Sequence, residues 1–563
     1  MTAPTSPDNS AFIVGLASHS DLAPEQVARL VGVVVGFLLE LKQQLPATDL
    51  RVMMDSRSAA NLAIARALHG ADVAIDALCS SAADAAAVGH PRVHAIVVPE
   101  PVDSRLAAAL IQRSSLLLAL WDGKSSKLAD DTADQVFRFL GVRGEPTEIA
   151  NRIEVSTVAN ELDVTARLVY WVQARRLGEA AGGGEQGGID APPASYYLLS
   201  AGDSVLDVQP SMPPSLRRRL GDLDEYNADF ERFNARPGQM HSASLLPQRA
   251  ALQQLSDAEA VESIDRQFVK ADSLAGYMQR QSDRLFNLFG ITAFTMGLVY
   301  LIYDKITESK TLLMFYMVIL FISLLIFYFF QTKRWFGKYL AYRALAETLR
   351  VRFYLTVAGV KPAHGRALIT LTGISRFPGF GWISFVLDTI EPLAIHPHAA
   401  DENPELRARL VDHDWIEDQY GYFVRKVASM EKHRFWIGRL KNGVFIVVLI
   451  VLSMMFMFGG ALHNIDARTG LPFKNVLTFC SGALAVVLGV WELRQNKMAV
   501  QELLWQYRNQ LSQYRHARRQ LQRIRSRGRR NAVLEELGQN SLMEIYLWAI
   551  HRYHREHAPP GAF

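Results

Sequence analysis

Two stretches separated by eight residues constrain this chain more than anything else in it. Leu285–Tyr303 and Leu312–Phe330 each hold 19 residues without an Asp, Glu, Lys or Arg. At 1.5 Å per helical residue each reaches about 28 Å, close to the roughly 30 Å hydrocarbon core of a bilayer. The intervening DKITESKT is too short and too polar to cross, so the pair reads as a transmembrane hairpin. A second pair follows. Gly443–Leu462 has 20 uncharged residues and Val476–Trp491 has 16, the latter extended by Phe473 and Trp491 as interfacial ends.

Each hairpin is followed by a charged stretch with aromatic and leucine stripes, QTKRWFGKYLAYRALAETLRVRFY in one case and ELRQNKMAVQELLWQYRNQLSQY in the other. Spacing, rather than residue identity, makes the membrane part an internal duplication. The spans carry polar residues (Asn287, Thr292, Thr295, Ser323, Ser453, Thr478, Ser481) but no ionisable group, which excludes a proton pump or voltage sensor. Four spans of one chain enclose no aqueous path, so a pore implies a homo-oligomer. Ser481, Ala485 and Gly489 form a small-residue face suited to helix packing.

The Lys and Arg residues flanking the spans (Arg280, Arg284, Lys333, Arg334, Lys338, Arg434, Arg439, Lys441, Arg494, Lys497) outweigh those of the two turns. The bias puts both termini and the 331–442 segment on the cytoplasmic side. The opening MTAPTSPDNS has neither a basic nor an apolar signal region. Two cysteines, Cys79 and Cys480, allow no disulfide framework and no cysteine metal site. The richness in Ala and Arg is bacterial in character, so the expected location is a bacterial inner membrane, multi-pass. The net charge of +4 gives no global reason to expect nucleic acid as a partner.

The N-terminal part alternates apolar runs with helical ones. FIVGL (12–16), LRVMMD (50–55), DVAIDAL (72–78), HAIVVP (94–99) and SSLLLALWDG (114–123) read as strands. PEQVARLVGVVVGFLLELKQQL from Pro24, SRSAANLAIARALHGA (56–71) and DTADQVFRFLG (131–141) read as helices. Such alternation predicts an α/β domain with a doubly wound parallel sheet. Ligands of such sheets bind beyond the carboxyl ends of the strands. Those ends hold Ser18, His19 and Asp21, then Asp55, Ser56, Arg57 and Ser58, then Trp121, Asp122 and Gly123, with Thr132 and Asp134 behind them.

VGLASHSDL, MDSRSAANLAIARAL, LLLALWDG and TADQVFRF together resemble the SLOG superfamily over residues 12–142. The nearest resemblance is to bacterial membrane-linked members, where two-span SLATT-type modules accompany the domain. Leu120, Trp121, Asp122, Gly123 and Thr132, Ala133, Asp134 match best; Asp55-Ser56-Arg57-Ser58-Ala59-Ala60-Asn61 stands where the family is glycine-rich. The resemblance implies a Rossmann-like fold and a nucleotide or nucleotide-derived ligand, with no other cofactor. The ligand-binding set is then Gly15, Ser18, His19, Asp21, Asp55, Ser56, Arg57, Ser58, Trp121, Asp122, Gly123, Thr132 and Asp134.

Physical chemistry gives these residues roles. Ser56, Ser58 and the helix start can cradle a phosphate, and Arg57 can pair with it. Asp122 can hold a ribose hydroxyl. The plainer reading is a helix cap with one exposed arginine, a turn aspartate and a structural histidine. Ala129-Asp130-Asp131-Thr132 replaces the P-GG-x-G-T-x-x-E loop of the lonely-guy phosphoribohydrolases, so the resemblance favours sensing over catalysis and assigns no catalytic residue.

Between these parts, EIANRIE and VTARLVYWVQARRLGEA within 143–180 read as helices, and AAGGGEQGGIDAPP (180–193) as a linker. Residues 256–284 read as a helix leading into the first span. Residues 515–530 hold eight arginines, read first as a solvated helix face beside anionic lipid headgroups and second as a surface for phosphate-rich partners. His551, His554 and His557 share a helix face that could bind a metal, but without acids or cysteines clearly placed beside them no metal is expected there.

The expected division is 1–155 SLOG-like domain, 156–255 helical and linker segment, 256–355 first two-span module, 356–413 cytoplasmic connector, 414–530 second two-span module and 531–563 amphipathic helix. The expected function is a membrane effector whose cytoplasmic domain senses a nucleotide-derived signal and gates an oligomeric membrane assembly, by resemblance in antiviral defence. Its partners are then the bilayer, a nucleotide-type small molecule and further copies of itself. The alternatives are a membrane-anchored nucleotide hydrolase and a scaffold without ligand.

Overall fold

A computed structural model describes residues 9–81, 84, 88, 90–98, 102–124, 130–142, 154–155, 167–177, 194–200, 206–245, 255, 257–360, 379–390, 403–463, 472–498 and 500–556. The chain divides into two compact units. One comprises Met1–Ala271, Thr348–Thr356 and Lys361–Leu406; the other comprises Asp272–Glu347, Val357–Val360 and Arg407–Phe563.

The first unit is built on a nine-stranded sheet. Its strands are β1 (Ala11–Ser18), β2 (Asp49–Asp55), β3 (Val73–Cys79), β4 (Val93–Val97), β5 (Leu116–Trp121), β6 (Glu154–Val155), β7 (Leu168–Gln173), β8 (Ser195–Ser200) and β9 (Leu206–Gln209), ordered β4-β3-β2-β1-β5-β7-β8-β9-β6. Strands β4 through β7 in that order are mutually parallel. Every residue of β3 and of β5 is buried, as expected where helices cover a parallel sheet.

The helices between the strands are α1 (Pro24–Gln44), α2 (Ala59–Ala67), α3 (Val102–Arg113) and α4 (Thr132–Leu140). Pro24 starts α1, Ser58 and Asp131 cap α2 and α4, and Gly141 at φ 71° ends α4 in the left-handed conformation. Helix α3 had no counterpart in the sequence reading. Its apolar residues Leu106–Ile111 run almost together instead of recurring at helical spacing.

Two expectations are corrected here. LVYWVQ, inside the expected helix VTARLVYWVQARRLGEA, is strand β7. Its β-branched and aromatic residues fit a pleated surface between β5 and β8, with the Trp171 and Trp121 ring centroids 5.6 Å apart. The sheet is also mixed, not wholly parallel: β8 is antiparallel to β7 and to β9. An antiparallel neighbour, unlike a parallel one, does not require a crossover connection. Residues 143–153 and the 180–193 linker lie outside the described residues.

The rest of the first unit gathers at the N-terminal ends of the strands. It includes α5 (Pro214–Asn234), the first residues of α6 (Ala258–Lys305), and α9 (Ile383–Thr389), which lies within the segment expected as a connector. Asn9 and Ser10, just before β1, tie these together. Ser10 N–H donates to Asn227 Oδ1 (3.1 Å), Ser10 Oγ donates to Gln267 Oε1 (2.7 Å), and Asn9 Nδ2 donates to Glu231 Oε1 (2.9 Å). Lys270 is fully buried, its ammonium 2.6 Å from Asn227 Oδ1 and over the Tyr226 ring. Phe385 of α9 meets Phe12 edge-on, and Ser115 donates to Asp388 at 3.1 Å.

The second unit is helical. It holds the remainder of α6, then α7 (Lys310–Lys333), most of α8 (Trp335–Val357), a π-helical turn (Val411–Glu417) after α10 (Pro404–Leu410), α11 (Asp418–His463), α12 (Phe473–Met498), α13 (Val500–Arg523) and α14 (Arg527–Glu556). Among the described residues, four helical stretches are long and apolar enough to cross a membrane: Ala258–Lys305, Lys310–Phe329, Pro404–Phe458 and Phe473–Glu492. Their apolar segments keep large side chains exposed, among them Ile291, Phe321, Ile450 and Phe456, which suits contact with lipid.

One order of lengths occurs twice. Helices of 48, 24 and 23 residues (α6, α7, α8) are matched by helices of 46, 26 and 24 (α11, α12, α13). Close helix approach falls on glycines other than those expected. A Cβ on Gly297 would meet Val486 at 2.8 Å and one on Gly482 would meet Leu301 at 2.9 Å, while Gly489 has open space beside it. Of the anticipated small-residue face, Ser481 is buried and Ala485 is exposed.

Candidate functional site

Because β2, β1 and β5 are adjacent and parallel, their C-terminal residues Asp55, Ser18 and Trp121 align along one edge. The loops that follow meet there. Ser18 Oγ lies 2.9 Å from Ser58 Oγ and donates to Asn61 Oδ1 at 2.9 Å; Asn61 Nδ2 donates to the Asp55 carbonyl at 3.1 Å. Ser58 also accepts the Asn61 N–H, so the cap of α2 and the end of β1 form one small network.

His19 is almost wholly buried between two carboxylates. Its Nε2 is 3.3 Å from Asp122 Oδ1 and its Nδ1 is 3.4 Å from Asp131 Oδ1. Asp131 also accepts the Thr132 N–H (2.7 Å) as the cap of α4. Arg176 after β7 pairs with Asp21 (3.1 Å) and approaches Asp131 (3.7 Å). Sequence reasoning did not assign Asn61, Asp131 or Arg176 to this edge. The first two were visible as residues at helix starts; Arg176 required the placement of β7.

The other expected site residues divide between this edge and the interior. Arg57 spans Asp55 and Asp103, each at 2.8 Å, which holds its guanidinium to carboxylates of this chain. Asp134 accepts the Asp130 N–H at 3.0 Å and pairs with Arg138 at 3.3 Å. Gly123 has φ 81°, and a Cβ there would come within 3.0 Å of the Trp171 indole. Trp121, Ser56 and Thr132 have buried side chains. Gly15 sits inside β1, where a Cβ would collide with the Ser114 hydroxyl; it serves close packing of α3 against the sheet.

The opposite edge holds a cavity of about 250 Å³. Asn9, Asp49, Arg51, Asp76, Arg92 and Arg113 contribute its polar wall, and Ser263 and Gln267 of α6 contribute another side. A chain of ion pairs runs along it. His94 Nδ1 is 3.4 Å from Asp76, Asp76 is 3.1 Å from Arg51, Arg51 is 3.0 Å from Asp49, and Asp49 is 3.0 Å from Arg92, which also pairs with Asp72. Asp76 and His94 are direct cross-strand partners. The hydrogen bond to Asp76 raises the His94 pKa above its ordinary value, against desolvation.

Arg51 and Asp76 had a signal in the sequence. Each is a charge within a strand expected to be buried on both faces, and a buried charge requires a partner. Ser263, Gln267, Thr389 and Ile390 had none, because only the tertiary fold brings them to this edge.

Comparison with family models, with curated proteins and with solved structures gave no match.

Proposed function

We propose that the chain is a membrane effector: its α/β unit, Rossmann-like in order, binds a small anionic signal of nucleotide type, and its membrane part responds. The observation that supports this most is helix α6. Ser263 and Gln267 line the N-terminal-edge cavity and Lys270 is locked to Asn227, while the apolar part of the same unbroken helix is the first candidate span. A ligand that favours one arrangement of these contacts over another acts directly on a spanning helix. Without such differential affinity no ligand can shift the membrane part.

In this reading the four spans form two hairpins by duplication, with both termini in the cytoplasm of a bacterium. Several copies assemble to open a pore or disrupt the inner membrane. A role in antiviral defence rests on the sequence resemblance to SLOG and SLATT proteins alone.

The test is leakage of dye from liposomes carrying the full chain, against a panel of cyclic and ADP-ribose-derived nucleotides, with binding followed by thermal melting. A nucleotide that raises the melt and triggers leakage supports the reading, and Arg92→Gln then abolishes both. A nucleotide that binds without causing leakage overturns the effector role. Loss of binding in Ser58→Ala or Asp122→Asn, with Arg92→Gln unaffected, moves the ligand to the C-terminal edge.

One observation favours a second reading. His19 held between Asp122 and Asp131 is an arrangement that suits a base in a nucleotide hydrolase. Turnover of nucleoside monophosphates by the full chain, abolished in His19→Gln, would establish it.

A further inference from the structure

The arginine cluster near the C-terminus lies at the far end of a stalk. Helix α11 is continuous from Asp418 to His463, with its one departure from helical backbone at Phe458. Its uncharged stretch begins at Gly443. The end of α12 and then α13 run antiparallel to the part before Gly443: Lys441 pairs with Glu492 of α12, and Glu431 pairs with Arg508 (2.6 Å) and Glu417 with Arg518 (2.5 Å) of α13. Arg530 then closes the turn into α14 with a two-point contact to Asp412 at 2.8 and 2.9 Å.

From Lys441 to Asp418 a helix rises about 35 Å. The tip therefore stands about 35 Å along the axis of the spanning helix, beyond the end of the apolar segment. A tilt of about 40° still leaves it more than 25 Å away. Headgroup charge is screened within a Debye length of about 8 Å. With α11 as a spanning helix, the headgroups of that membrane are out of reach, which argues against the lipid-facing expectation for residues 515–530.

Three of the eight arginines there are otherwise engaged: Arg518 and Arg530 in the pairs above, and Arg527 in other contacts. Arg515, Arg519, Arg523, Arg525 and Arg529 are exposed, and none takes part in an ion pair among the described residues. No Asp or Glu occurs between Glu502 and Glu535. Arg515, Arg519 and Arg523 recur every fourth residue, about 6 Å apart along one helix face, a spacing of the same order as successive phosphates of an extended strand. Guanidinium forks match phosphate oxygens two at a time.

We propose that this tip binds the sugar–phosphate backbone of single-stranded nucleic acid, without sequence preference. Backbone contact by arginine alone carries no base readout. The proposal is independent of the ligand-sensing reading; it rests on α11 as a spanning helix only in excluding lipid.

The test uses the full chain in phosphatidylcholine nanodiscs and a fluorescein-labelled RNA or DNA strand of about 20 nucleotides, long enough to cover five phosphate contacts. Anisotropy is followed over a range of KCl. Five contacts give a slope of log K against log salt near −3.5. Arg515→Gln, Arg519→Gln, Arg523→Gln, Arg525→Gln and Arg529→Gln together reduce that slope to near zero and lower affinity at least 100-fold at low salt. The same five changed to Lys keep most of the slope. The changes are all at exposed positions, and an unaltered melt confirms that the variant folds.

Binding undiminished in the Gln variant overturns the proposal. So does polyglutamate competing as well as the oligonucleotide at equal charge, which would identify an acidic protein partner. Capture by phosphatidylglycerol vesicles that depends on the five arginines, with no oligonucleotide binding, would identify a lipid surface instead. If the chain stays soluble without detergent and does not float with liposomes, the spanning reading fails, while the anisotropy result still decides the arginine surface.

Discussion

The two edges of the central sheet differ in how they are made. At the C-terminal edge, Ser18, Ser58, Asn61, His19, Asp122 and Asp131 come from loops that directly follow neighbouring parallel strands. Their contacts are helix caps and hydrogen bonds of short reach. At the N-terminal edge, strand residues meet α6 and the end of α9, hundreds of residues later in the chain, around a cavity. At one edge neighbouring loop residues bind one another; the other is left with space and with a helix that continues as a candidate span. A cavity walled by distant elements couples whatever enters it to those elements.

The largest expected effect falls on the strand that serves both edges. Gly15→Val drives two methyls and a Cβ into Ser114 and costs about 3 kcal/mol, read from urea unfolding of the full chain in detergent. A loss below about 1 kcal/mol would mean that α3 can shift away from β1.

Next come the paired charges. Asp76→Asn leaves Arg51 and His94 facing a neutral amide in a nearly buried position, and the expected loss is about 2 kcal/mol. His19→Gln at the other edge removes the imidazole that lies between Asp122 and Asp131 and costs a similar amount or slightly less. The comparison between edges sharpens with ligand. A nucleotide bound at the N-terminal edge stabilises His19→Gln as it does the wild type and fails to stabilise Asp76→Asn. The reverse pattern breaks it.

Ser58→Ala removes the cap of α2 and its link to Ser18, for a loss of about 1 kcal/mol in the same unfolding measurement. The smallest effect is a pH dependence. The folded-state pKa of His94 is raised by Asp76. Its contribution is therefore fully present below the unfolded value of about 6.5 and is lost as pH rises through the raised folded value. The stability difference between wild type and His94→Gln is thus largest below the unfolded value of about 6.5 and declines as pH rises through the raised folded value. Because the His94 side chain is 66% exposed, the difference stays well below 1 kcal/mol. His90 works in the opposite sense. Burial lowers its pKa, so its contribution falls on acidification below about 6.5 and survives in both proteins.

Much of the α/β unit was legible because its signals are local. FIVGL, LRVMMD, DVAIDAL and LLLALW are apolar runs of strand length, and Pro24, Ser58 and Asp131 mark helix starts. LVYWVQ was misread because aromatic and β-branched residues flanked by arginines fit a helix as well as a strand until β5 and β8 claim them. The C-terminal-edge residues followed from the rule that loops gather beyond parallel strands. Their hydrogen bonds to one another did not follow, since side-chain partners depend on the exact approach of loops.

By itself the sequence determined which segments are apolar over a span's length, where helices begin and which strands lie buried. Hydrophobic length, capping chemistry and strand burial are properties of contiguous residues. Only the tertiary structure decided that Arg51, Asp76 and Gln267 share a cavity, that Gly297 and Gly482 admit Val486 and Leu301, and that eight arginines stand at the end of a stalk. Each of these depends on which distant elements pack together, and the residues between them carry no local record of it.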